Sequence, residues 1–207
     1  MIITFYGEGC FKVQSGEMVV LTDPPAKESG LEAPRFKFDI MLRTLSAFPP
    51  EAKNFYELVG PGEYNFKIAD KEIDILGIFL AKESTDKFIK TIYLVNLEDI
   101  KLCFLGHLSN DLSPEIIEKL EEIDILFIPA GGKPFIDQKR AASLIKQLEP
   151  KVVVPSFYKI SNLKRPADDL EKFLKECDYE ASQEEKLVIK KKDLQTIKGT
   201  KIISLKV

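Results

Sequence analysis

The chain contains one imidazole, His107, in 207 residues. It follows the apolar run 101–106, so it stands where a strand gives way to a loop. An imidazole there could serve as an acid–base group or a ligand contact, although a hydrogen-bonded structural histidine is the plainer reading. Asp23, Glu63 and Asp111 together with His107 would make a hard, oxygen-rich site, suited to Mg²⁺ or Mn²⁺ rather than Zn²⁺. Asp23 and Asp137 equally suit turn and helix caps. Ser156 lies in no nucleophile elbow and Cys10 has no visible activating base, so nucleophilic catalysis is not expected from either. Cys10, Cys103 and Cys177 are spaced too widely for a metal clip or a disulfide framework. Gly60-Pro61-Gly62 and Gly131-Gly132 are turn glycines without phosphate-loop spacing.

The elements that must position these groups are legible from periodicity. Residues 124–129 are a short apolar run of β-formers ending at Pro129-Ala130-Gly131-Gly132. Such a run reads as a strand buried on both faces. The same design recurs at 101–105 and 151–155, so the three strands are expected to end on one rim, where α/β sites gather. Before residue 100 the pattern is mostly β, with short runs at 1–5, 10–14, 18–21, 38–42, 55–59, 64–68, 72–80 and 91–96. The stretch 43–54 reads as irregular. After residue 100, helices are expected from Pro114 towards Ile123, from a cap at Asp137 to Leu148, and over 168–176, with closing strands at 186–189 and 201–205. An apolar fraction of 44% and a charged fraction of 30% are ordinary for a globular protein. The net charge of −3 gives no general pull towards nucleic acid. The basic run 190–192 reads as a solvated edge. No apolar run approaches a membrane span, so neither a nucleic acid nor a membrane is expected as partner, and the expected location is the cytoplasm.

Several segments, in order, resemble the metallo-β-lactamase fold, in particular predicted zinc-dependent hydrolases related to the lactonase UlaG. They are Tyr6-Gly7-Glu8-Gly9-Cys10-Phe11, Leu21-Thr22-Asp23-Pro24, Gly60-Pro61-Gly62-Glu63-Tyr64, Leu105-Gly106-His107-Leu108, 124–132, Ile136-Asp137-Gln138-Lys139 and 148–158. The resemblance covers most of the chain. It implies an α+β fold, a four-layer αββα sandwich, as a single domain 1–207 with two similar halves of about 1–100 and 101–207. It also implies a metal site at the shared strand edge, and here the residues depart from the pattern. The family's His-x-His-x-Asp-His run falls on 43–50, where Leu45, Ala47 and Pro49-Pro50 cannot ligate a metal. Histidines would also be expected near Glu8, at Asn110 and at Phe157, and an aspartate at His107.

The reading is therefore a member of the fold that has lost its zinc site and works as a binding or scaffolding protein, with no catalytic or metal residue assigned and no cofactor. The alternative is a metal-dependent hydrolase of lactone or phosphodiester type, rebuilt on the carboxylates above. The expected cleft rim is Arg43, His107, Asn110, Asp111, Lys133, Ser156 and Tyr158, with Leu45, Ala47 and Phe157 filling part of the vacated site. The partner would be an unidentified small molecule or protein, or a second copy in a homo-oligomer.

Overall fold

The structure is a computed structural model that describes residues 1–54 and 56–207. Strands dominate the first half: β1 (Ile2–Phe5), β2 (Phe11–Ser15), β3 (Met18–Thr22), β4 (Ile40–Leu42), β5 (Leu45–Ala47), β6 (Glu57–Leu58), β7 (Gly62–Ile68), β8 (Lys71–Phe79) and β9 (Phe88–Leu97). The second half begins as an alternation of β10 (Ile100–Phe104), α1 (Pro114–Lys119), β11 (Ile125–Pro129), α2 (Gln138–Leu148), β12 (Val152–Ser156) and α3 (Leu170–Leu174). It closes with β13 (Glu180–Glu184), β14 (Leu187–Val188), α4 (Lys191–Thr196) and β15 (Lys201–Leu205).

Two mixed sheets result. The smaller has the order β14-β1-β2-β3-β4-β6. The larger has the order β13-β15-β12-β11-β10-β9-β8-β7, with β5 added beside β9. Strands β10, β11, β12 and β15 run parallel, so the ends of the three apolar strands do share one rim. Each sheet draws strands from both sides of residue 100: β14 closes the smaller sheet and β7–β9 extend the larger. Among the described residues, every α-helix comes from 114–196.

The sheets pack through apolar faces, and aromatic rings mark the junction. Phe11 of the smaller sheet has its ring 4.7 Å from that of Phe127 in the larger. Phe127 in turn stacks on Phe104 at 4.3 Å, and Phe5 stacks on Phe11 at 4.9 Å. All four are buried. In α2 the expected cap is present, with the Asp137 carboxylate accepting from Arg140 N at 3.0 Å, and Ala141, Ala142, Leu144 and Ile145 form its buried face.

Some boundaries differ from expectation, for local reasons. Ser113 stands before α1 but its hydroxyl makes no capping bond, and the helix stops at Lys119 rather than near Ile123. Glu122, in the left-handed region at φ 59°, turns the chain into β11. The stretch 43–54, read as irregular, contains β5, held by antiparallel pairing with Phe88–Lys90. The basic run 190–192 opens α4, whose start is tied by Lys190 N donating to Asp193 Oδ2 at 2.8 Å. Of the expected strand 55–59, Phe55 lies outside the described residues and Glu57–Leu58 is strand.

Truncating the ring that joins the sheets removes contacts on both sides of the core. Phe127→Ala is expected to cost about 3–5 kcal/mol in denaturant unfolding, and Phe127→Leu clearly less.

Candidate functional site

The carboxyl ends of strands from both sheets meet at one place. Asp23 follows β3 directly, Thr44 lies between β4 and β5, His107 follows β10, and Phe157 follows β12. A polar chain joins the first three. Asp23 Oδ1 accepts from Thr44 N at 2.8 Å, and Asp23 Oδ2 accepts from Thr44 Oγ1 at 2.6 Å. Thr44 Oγ1 is also 2.7 Å from His107 Nδ1. Gly106 makes this approach feasible: it sits at φ +53°, and a Cβ there would fall 2.1 Å from Thr44 Oγ1.

Burial sets the titration of this chain. It pushes the Asp23 carboxyl up to about 6, against the opposing pull of the two Thr44 hydrogen bonds and the Arg43 charge. Burial, with the positive charges of Lys90 and Arg165, pushes the His107 imidazole down to about 4. Near neutral pH Asp23 is thus ionised and His107 neutral. Cys10, buried beside Asp23, has its thiol pushed up by burial and then by that carboxylate, so it is held as an unreactive thiol.

Around the chain lies a cleft of about 380 Å³, lined among others by Glu8, Asp23, Arg43, Leu45, His107, Phe135, Phe157 and Arg165. Phe135 and Phe157 pack at 4.4 Å, and each meets the His107 ring edge-on, at 5.7 and 4.9 Å. Phe157 occupies the left-handed region at φ 56°. Its ring is accommodated by Gly9, where a Cβ would lie 2.5 Å from the ring. Arg165 grips Glu8 with two parallel bonds of 3.1 and 2.9 Å, donates to Phe157 O at 2.7 Å, and lies 4.9 Å over the Phe135 ring. Arg43 donates through Nε to the buried Glu57 at 2.6 Å.

Of the residues expected on the rim, the structure brings Arg43 and His107 together in this cleft. Asn110 and Lys133 line a neighbouring groove with Arg140 and Arg165. Asp111 is exposed and pairs with Arg140 at 2.7 Å. Ser156 is buried within β12, and no hydrogen bond joins it to His107 among the described residues. Tyr158 is buried away from the cleft, its hydroxyl donating to Leu205 O at 3.1 Å. Leu45 and Phe157 line the cleft as expected of them, whereas Ala47 is exposed and pairs with Phe88 across β5 and β9. Thr44 and Arg165, which tie the site together, were absent from the sequence reading. Their partners are 21, 63 and 157 positions away, so no local spacing marks them.

The zinc centre that the fold family implies does not fit these residues. Among the described residues, no three His, Cys, Asp or Glu side chains gather where a cation could be held. Asp23 and His107 are bound to Thr44 instead of converging on a point, and Glu63 lines a separate groove with Tyr64 and Lys119.

The opposed shifts of Asp23 and His107 give a pH signature. His107, lowered in the folded state, withholds stability as pH falls from about 6.5 towards 4, because the unfolded chain takes the proton first. Asp23, raised in the folded state, has the reverse sign: its contribution is present below about 3.9 and lost as pH rises through about 6. Relative to the parent chain, the stability of Asp23→Asn should therefore rise between about pH 4 and 6, and that of His107→Gln should fall, each by on the order of 2 kcal/mol. Denaturant titrations of the three proteins across that range measure it.

Comparison with known proteins places this geometry. Residues 2–156 match the family model described as a beta-lactamase superfamily domain. A UPF0173 protein of Pyrococcus abyssi is 25% identical over 181 residues, covering 76% of this chain and 83% of that protein. A Thermotoga maritima structure, described as a member of the metallo-β-lactamase superfamily, superposes with a TM-score of 0.77 at 27% identity, with all of both chains covered. Igni18, a metallo hydrolase from Ignicoccus hospitalis, shares the fold at a TM-score of 0.57 and 19% identity, covering 79% of this chain and 85% of that one. With most of its length matched by the family model, and with the two-sheet α+β architecture described above, this chain belongs to the beta-lactamase superfamily.

Proposed function

We propose that this protein works without zinc, as a small-molecule-binding member of the superfamily, and that the cleft around His107, Arg43, Phe135, Phe157 and Arg165 is its binding site. One observation carries the reading: the carboxylates at the strand ends are engaged by other side chains. Asp23 is held by Thr44, Glu8 by Arg165 and Glu57 by Arg43, and among the described residues no three ligand groups gather to hold a cation. An apolar wall of Leu45, Phe135 and Phe157 with a few convergent polar groups is the usual form of a small-molecule site. No metal-type hydrolysis is expected, because among the described residues no three ligand groups gather to hold a cation that would activate a water. The chain is read as one domain, since a single core cluster takes residues from both sheets. Its free cysteines suit the reducing cytoplasm.

Metal analysis of purified protein tests this directly. The expected result is substoichiometric zinc, manganese and iron, and thermal melts that coincide with and without EDTA, since no folding free energy is drawn from a metal. Stoichiometric metal, or a melting temperature several degrees lower after chelation, would overturn the reading. Assays on lactones and phosphodiesters with Zn²⁺, Mn²⁺ or Mg²⁺ added are expected to show no turnover. Turnover that requires the added metal and is abolished by His107→Ala would establish a rebuilt metal site instead.

A further inference from the structure

The Asp23–Thr44–His107 chain has a direction, and hydrogen-bond counting fixes it. An ionised Asp23 can only accept, so the single hydroxyl proton of Thr44 is committed to Asp23 Oδ2. Thr44 Oγ1 can then meet His107 Nδ1, 2.7 Å away, only as an acceptor. The neutral imidazole is thereby held with its proton on Nδ1, leaving a lone pair on Nε2. Among the described residues Nε2 has no hydrogen-bond partner, and it is not a sealed buried atom. His107 lines the cleft. The free lone pair is therefore accessible to an occupant.

We propose that Asp23, Thr44 and His107 form a proton relay which opens into the cleft at His107 Nε2 and accepts a proton from a small bound molecule bearing an acidic O–H or N–H. This rests on the reading of the cleft as a metal-free binding site. The transfer balances within the chain. The bound molecule gives its proton to Nε2 and keeps the electron pair; Nδ1–H passes to Thr44 Oγ1; the Thr44 hydroxyl proton passes to Asp23 Oδ2. The imidazole ends neutral with its proton on Nε2, and Asp23 ends as the carboxylic acid.

The surroundings favour Asp23 over the imidazolium as the place where the proton rests. His107 faces Lys90 from β9 and Arg165 from the loop after β12, both of which oppose a positive ring. Asp23 faces Arg43, Cys10 and the buried Tyr93, in a site where burial already favours the acid form. Arg43 offers an anchor for the deprotonated occupant. Its Nε is spent on Glu57, while its terminal nitrogens make no hydrogen bond among the described residues, and it lines the same cleft. The fitting ligand class is a small weak acid that becomes an anion in the cleft.

A single histidine makes the test unambiguous, since long-range ¹H–¹⁵N spectra of the uniformly labelled full chain contain one imidazole. At about pH 8 the Nδ1–H form is expected, with Nε2 unprotonated. As pH falls through about 6 the roles of the two nitrogens should exchange without imidazolium forming, because Asp23 takes the proton first. Thr44→Ser should keep this exchange, while Asp23→Asn and Thr44→Val should lose it; the remaining resonances report whether each variant is folded. An Nε2–H imidazole at about pH 8 in the parent protein, or direct conversion to imidazolium near an ordinary pKa of about 6.5, overturns the relay. That failure is distinct from failure of the binding reading. A metal-free protein with the wrong tautomer removes only the relay, whereas stoichiometric metal removes the site on which it rests.

Discussion

A carboxylate taken out of water is costly unless hydrogen bonds replace its lost hydration. Among the described residues, Asp23 meets that demand through hydrogen bonds from one residue, Thr44, which offers both its backbone N–H and its hydroxyl. The consequences spread along the rim. Thr44, so fixed, accepts at its carbonyl from Thr91 N at 2.9 Å, which fastens the start of β5 to β9. Asp23 N donates to Leu42 O at 3.0 Å, tying the ends of β3 and β4. His107 comes within reach only because Gly106 lacks a Cβ. One half-buried charge thus aligns strand ends from both sheets.

The other charges of the rim follow the same rule. Glu83, almost fully buried, accepts from Ser109 N, Ser109 Oγ, Lys90 Nζ and Asn110 N, and its carboxyl is held below the usual range by the Ser109 and Lys90 bonds, against the opposing effect of burial. Glu57 is balanced by Arg43 and by Lys53 N. Arg165 answers Glu8 and also accounts for the backbone of Phe157. A non-glycine residue in the left-handed region costs on the order of 1 kcal/mol or more. Phe157 is held there from both sides, its N–H donating to Glu8 O at 3.0 Å and its carbonyl accepting from Arg165. The aromatic wall of the cleft is therefore a product of the Glu8–Arg165 pair rather than of local preference.

This explains which parts were legible in the sequence. Strands β10, β11 and β12 announce themselves because both faces are buried and nearly every residue is apolar. Helix α2 does so through its cap and its buried stripe. Strand β13, Glu-Ala-Ser-Gln-Glu, carries no such signal: its residues are mostly exposed and it is held by backbone pairing with β15. Helix α4 buries only Leu194, so its lysines resemble any solvated edge. At the site, the strand-end rim could be read, and so could the absence of the zinc-ligand residue types. What could not be read is which polar groups find each other. Ser156 and Tyr158 lie close in sequence to a strand end, yet the first is buried within β12 and the second points towards Leu205. The chain leaves β12 through Phe157 in the left-handed region, so closeness in sequence to the rim does not place a side chain in the cleft.

Strand order and loop chemistry are separable, and this chain separates them. The parallel run of β10, β11, β12 and β15 fixes where a cleft forms. What fills the cleft is decided by residues after the strand ends, which can differ in chemistry while the strand order is kept. In a metal site, a cation draws strand ends together by direct charge attraction. Here hydrogen bonds from Thr44 and Arg165 perform that task, and they need their partners deprotonated or neutral in a defined way. A rim held by hydrogen bonds is consequently a rim with a defined proton inventory.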